Sequence, residues 1–155
     1  MTDAPQAPAS TAPAIYLRAQ FIKDLSFENP RAPASLFAMK EAPTMEVSVN
    51  LGAQRLDENV YEVAIQIGVR ATSEKATVFL TDLVYAGVLE LQNIAEADLE
   101  PVLFIQGASL IYPFARRVVA DVTRDGGFPP VSLEPLDFAA MYINQRQKAA
   151  AEATA

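Results

Sequence analysis

Apolar and polar residues alternate along 16–28. Leu17, Ala19, Phe21, Leu25 and Phe27 share one parity, and Arg18, Gln20, Asp24, Ser26 and Glu28 the other, with Ile22 among them. A period of two predicts a β-strand with one face on a core, and Lys23 interrupts its apolar face as though near a sheet edge. Met45, Val47, Val49 and Leu51 alternate with Glu46, Ser48 and Asn50 in a second strand. Tyr61, Val63, Ile65, Ile67 and Val69 alternate with Glu62, Ala64, Gln66, Gly68 and Arg70 in a third. The fourth, 76–91, is apolar on both faces: Phe79, Leu83, Tyr85 and Leu89 on one, Val78, Leu80, Val84 and Val88 on the other, where only Asp82 and Glu90 mark contact with water. Turns at 56–59 and 73–75 are short, so strands two to four form an antiparallel meander.

After Asn93 the period lengthens. Residues 95–107 and 113–124 carry apolar positions at helical spacing; Pro113 suits a helix first turn, and Gly126-Gly127 a helix end. The stretch 128–135, FPPVSLEP, reads as a stiff extended link, and Asp137 as the N-cap of a last helix holding Phe138, Met141 and Tyr142. Strands first and helices afterwards predict an α+β fold, a four-stranded antiparallel sheet with helices on one face and the acidic face to water. Residues 29–43 hold prolines and form a long connection of the kind that carries a chain across a sheet. Residues 1–13, rich in Ala and Pro, read as a disordered arm; 14–145 form the folded domain, and 146–155 a flexible tail.

The stretch 99–122 is apolar over more than one stripe, more than a helix on one sheet face needs. The surplus predicts contact with another subunit or an apolar groove. With 155 residues, one domain is expected. The net charge of −7 disfavours nucleic-acid binding. With no cysteine and no histidine, the chain lacks disulfides, thiol or Ser-His-Asp catalysis and the usual zinc sites. No Asp/Glu run has calcium-loop spacing, no glycine pattern forms a P-loop, and no apolar run of membrane-spanning length is read from the sequence. The N-terminus has no basic segment and no apolar stretch of the signal-peptide kind, so the expected location is the cytoplasm. An enzyme using Tyr85 or Tyr112 with a carboxylate finds no supporting constellation, and neither catalysis nor a cofactor is expected.

Three fragments, in order, resemble the SecB export chaperones: YLRAQFIKDLSFENPRAP, VYEVAIQIGVRA and LIYPFARRVVADVTRDGGFPPVSLEPLDF. Together they span roughly residues 15–144. The resemblance implies a homotetramer, a dimer of dimers with helices between the sheets. It implies a holding chaperone that binds unfolded precursor proteins in the cytoplasm and delivers them to the motor ATPase SecA, with no ATP hydrolysis of its own. A relative dedicated to a toxin–antitoxin pair is the alternative. By the same resemblance Phe79, Phe114 and Phe138 line the client groove. Phe37 and Met39 are further candidates, in a connection that looks longer than the family's and lacks the tryptophan found in some relatives. Asp24, Glu28, Leu80 and Asp82 match the acidic sheet face on which the zinc-containing, basic C-terminal tail of SecA docks. Asp82 stands where many relatives have glutamate.

Overall fold

A computed structural model describes residues 10–154. Residues 1–9, most of the expected arm, lie outside the described residues. Four strands, β1 (Ala14–Glu28), β2 (Thr44–Asp57), β3 (Val60–Ser73) and β4 (Ala76–Gln92), form one antiparallel sheet in the order β1-β4-β3-β2. Two-residue turns make β2, β3 and β4 the predicted meander. Asn59 in the first turn, and Glu74 and Lys75 in the second, have the positive φ that such turns require. The long connection carries the chain from one sheet edge to the other and contains a single helical turn, α1 (Ala34–Phe37).

The strand alternation holds with two local exceptions. Register shifts between Leu17 and Ala19 and between Ile22 and Asp24 insert a bulge residue twice into β1. Each bulge exchanges the two faces. Ala19 and Phe21, expected on the core, stand opposite Val88 and Ala86 on the outer face, while Gln20 and Ile22 turn to the helices. The bulge residues themselves reach across that outer face. The Arg18 guanidinium meets Glu90 at 2.5 Å, and the Lys23 ammonium meets Glu62 at 2.6 Å. Lys23 therefore does not interrupt the core face; it partners a carboxylate that is largely buried. A third shift, between Ala71 and Thr72, turns Val78 into the core, where it is fully buried, although parity places it on the wet face.

The helical half also departs from expectation. The two predicted helices are one run of 30 residues: α2 (Glu96–Pro101), a π-helical turn (Val102–Gly107) and α3 (Ala108–Asp125). Pro113 lies inside α3 rather than at its start. A proline inside a helix costs roughly 3 kcal/mol. Burial of Ile111, Tyr112, Ala115 and Val119 on the sheet on both sides of Pro113 offsets it. This continuous helix is long and apolar enough to cross a membrane by length and composition, contrary to the sequence reading, but its inward side chains belong to the sheet core.

That core joins Val63, Ile65, Ile67 and Val69 of β3, Phe79, Leu83 and Leu89 of β4, and the inward residues of α3. The end of α3 follows the glycine pattern. Gly127 takes φ +94°, its N–H donates to the Arg124 carbonyl at 3.0 Å, and the Phe128 N–H donates to the Thr123 carbonyl at 3.2 Å. Asp137 caps α4 (Phe138–Ala153) by accepting from the Ala140 N–H at 3.0 Å. Helix α4 continues to Ala153, through residues that the sequence reading assigns to a flexible tail; alanines make the best helix formers. Ser10 and Ala12, from the expected arm, offer their carbonyls to the Asn93 side-chain amide at 3.1 Å each.

Gly126 sits against the Phe27 ring, and a Cβ there would collide with the ring edge at Cζ and Cε1. Phe27 is backed by Phe79, with ring centroids 5.9 Å apart, so the ring has little room to move. Gly126→Ala is therefore expected to destabilise the fold by about 1–3 kcal/mol in urea denaturation, and an unchanged midpoint would contradict this contact.

Candidate functional site

Two surfaces stand out, one apolar and one acidic. The apolar one is a groove of about 870 Å³ between the inner face of β2 and the extended link after α3. Met45, Val47 and Val49 of β2 form one wall. Phe128, Val131, Leu133 and Leu136 of the link form the other, with Met39 and Pro43 of the connection and Met141 of α4 at the ends. The link stays extended because Pro129, Pro130 and Pro135 have no N–H to donate, and the Val131 N–H is taken by Thr123 Oγ1 at 3.0 Å. β2 lies at an edge of the sheet, so one side of its backbone has no strand partner.

Phe79 forms the groove floor, yet it is fully buried and held against Phe128 at 4.8 Å between ring centroids. Tyr112 also lines the groove, and its hydroxyl donates to the Glu134 backbone carbonyl at 2.5 Å. Burial pushes the pKa of Tyr112 upward. The phenol proton is thus committed to a backbone carbonyl rather than to a carboxylate.

Of the five groove residues expected from sequence, Phe79 and Met39 meet there. Phe138 lies beneath it, edge-on to Tyr112 at 5.4 Å and buried. Phe114 does not line the groove: Ile111, Tyr112 and Ala115 face the sheet, which leaves Phe114 and Leu110 exposed on the opposite side of α3. Phe37 also lies outside the groove and is 79% exposed. Its neighbour Leu36 is the one that rests against the chain, at Gly127. The β2 wall, the link residues and Met141 are not among the residues expected from sequence. The period-two run 45–51 marked the first as inward-facing, but nothing local marked β2 as the edge strand that faces the link.

The acidic surface lies on the outer face of the sheet. Glu28 stands directly opposite Leu80, Ser26 opposite Asp82 and Asp24 opposite Val84. Asp24, Glu28, Leu80 and Asp82 therefore share one patch on two neighbouring strands. The acid residues that β1, β3 and β4 place on this face fall into two groups. Glu62 and Glu90 are paired with the bulge cations, and hydrogen bonds from Gln92 and then Arg18 hold the Glu90 carboxyl below the usual carboxylate range. Among the described residues, Asp24, Glu28 and Asp82 take part in no ion pair. They stand together at one end of the sheet, where the nearest strand cation, Arg70, lies opposite Leu80 and directs its guanidinium to Thr77 Oγ1 at 3.1 Å. Among the described residues no cluster of acidic side chains is arranged to hold a metal ion.

Edge strand β1 carries a further apolar surface. Tyr16, Leu17, Phe21, Ile22 and Leu25 are exposed along it, and its outer backbone is unpaired.

A family model described as preprotein translocase subunit SecB matches residues 8–149. The protein-export protein SecB of Maricaulis maris is 45% identical over 99% of this chain and 91% of its own. That of Parvibaculum lavamentivorans is 47% identical over 93% of this chain and 85% of its own. Among solved structures, the SecB-like chaperone of Mycobacterium tuberculosis in complex with a ChAD peptide from the HigA1 antitoxin superposes with a TM-score of 0.66. It is 20% identical, over 79% of this chain and 90% of the other.

Proposed function

The chain belongs to the SecB family of protein-export chaperones, and from this we propose that it holds unfolded precursor proteins in its apolar groove and passes them to SecA through the acidic sheet face. The observation that carries the reading is the groove itself, an open apolar cavity with unpaired strand backbone at its side. An unfolded chain exposes apolar side chains and unpaired amides together. The flexible methionine and aliphatic walls adapt to many side chains, and an extended segment can pair with the free β2 edge. Binding only the unfolded chain drains its folding equilibrium by mass action, with no turnover and no ATP.

Delivery to SecA is supported by the three carboxylates around Leu80, which form no ion pair among the described residues and suit a small basic module with an apolar contact at its centre. Assembly as a dimer of dimers is supported by the exposed apolar β1 edge and by Leu110 and Phe114 on the outward side of α3. A lone chain leaving both surfaces in water would be prone to aggregate. A cytoplasmic location follows from the role, since precursors are captured there before export.

Light scattering of the protein alone and with a reduced, unfolded precursor tests capture and assembly together. The expected assembly has a mass near four times 16.8 kDa and takes up the precursor. Val47→Glu places a charge on the exposed β2 wall and is expected to weaken capture about tenfold or more. Because Val47 is half exposed, melting should change little. Capture equal to that of the parent would remove the groove from the client site.

A further inference from the structure

The chain has 4 methionines and neither cysteine nor tryptophan. Apart from Met1, all of them line the groove: Met39 from the connection, Met45 from β2 and Met141 from α4. Three separate elements thus bring every internal thioether to one cavity. The cavity is open to solvent reagents, since Met45 is 43% exposed and Met39 and Met141 sit half-buried at the margin of the core. Among the described residues the fully buried core, by contrast, contains no methionine.

We infer that Met39, Met45 and Met141 make the groove a site of reversible oxidation, at which a two-electron oxidant such as hydrogen peroxide or hypochlorous acid suppresses capture of unfolded chains. In a chain without thiols the thioether is the group that such oxidants reach first. With peroxide, a sulfur lone pair attacks one oxygen, the O–O bond breaks and an S–O bond forms. The sulfur loses two electrons, and the second oxygen leaves as water after proton transfer. The sulfoxide is polar and strongly hydrated, so an apolar client side chain can replace its water only at a cost. The methionine-free core leaves the fold intact while the groove changes character. Methionine sulfoxide reductases, with a dithiol as the electron source, reverse the change.

The inference rests on the groove being the client site, and the experiment separates the two. The assembled protein is treated with hydrogen peroxide, quenched with free methionine and mapped by peptide mass spectrometry. Capture of a reduced precursor is then measured by calorimetry beside the untreated protein. The expected result is one added oxygen at each of the three positions, about tenfold or greater loss of affinity, an unchanged circular dichroism spectrum, and recovery after reductase treatment. In a Met39→Leu/Met45→Leu/Met141→Leu variant, whatever affinity it starts from, peroxide treatment should produce no further change in capture; if the variant fails to fold, reductase recovery of the parent still decides. Absence of sulfoxide at these positions, loss that reductase does not restore, or full capture by the oxidised protein where Val47→Glu still weakens capture, overturns the inference alone; full capture by both the oxidised protein and Val47→Glu removes the groove from the client site. No capture by the untreated protein overturns the client-groove reading, and this inference with it.

Discussion

Asp24→Lys combined with Glu28→Lys is expected to abolish binding of the SecA C-terminal tail, lowering affinity by about a hundredfold or more, while precursor capture persists. The two carboxylates lie on the outer face of edge strand β1, and among the described residues neither is paired with a cation. Reversing them turns an attractive field into a repulsive one at the point where a basic module would sit. Both side chains are exposed, so the fold should tolerate the change. The parent interaction should also weaken as salt rises, because charges in contact with water are screened within about 8 Å at physiological ionic strength. Titration calorimetry with the tail in low and moderate salt measures both effects. Undiminished binding by the double variant, or an affinity indifferent to salt, would exclude this face as the docking site.

Phe79→Ala is expected to cost about 3–5 kcal/mol of stability, at the upper end for a single truncation. The ring is fully buried, between Phe27 at 5.9 Å and Phe128 at 4.8 Å, and its loss would leave a cavity that two aromatic neighbours cannot close. Folded domains are stable by only about 5–15 kcal/mol, so the variant would be partly unfolded at modest urea concentrations. Any loss of client capture in Phe79→Ala would then report collapse of the groove floor rather than a lost client contact. Phe79→Leu keeps most of the volume and should cost about 1–2 kcal/mol. Urea midpoints for the two variants and the parent give the comparison; a shift for Phe79→Ala no larger than for a surface substitution would contradict the buried stack. The wall residues Val47 and Met45 are the better probes of client binding, because they line the groove and are exposed.

Much of the fold was legible in the sequence because side chains on a strand alternate strictly. The runs 45–51 and 61–69 each carry one inward set, and the structure keeps both sets. The short turns, the Gly126-Gly127 stop and the Asp137 cap follow from local backbone chemistry, which needs no tertiary partner. In β1 the alternation misled at 19–22, because each bulge adds one residue and exchanges the faces until the next bulge restores them. Arg18 and Lys23 are the bulge residues, and their partners Glu90 and Glu62 lie 72 and 39 residues away in sequence. Pro113 misled for a similar reason. Its cost is local, whereas the burial that outweighs it comes from the sheet.

The two candidate sites differ in the same way. Asp24, Glu28, Leu80 and Asp82 could be placed on one face by parity alone, since the bulges lie before Asp24 and the parity is intact from there to Glu28. The groove could not be placed so. Its walls come from an edge strand, a proline-rich link, a long connection and the last helix, and only the folded chain brings them together. Residue order was enough for the α+β class, the succession of strands and helices, the outward acid residues and the family. Folding had to be seen to sort the aromatic residues into floor, support and surface, and to find every internal methionine facing the groove. Periodicity records which side of an element a residue takes; how deep it lies, and against what, depends on contacts between segments far apart in the chain.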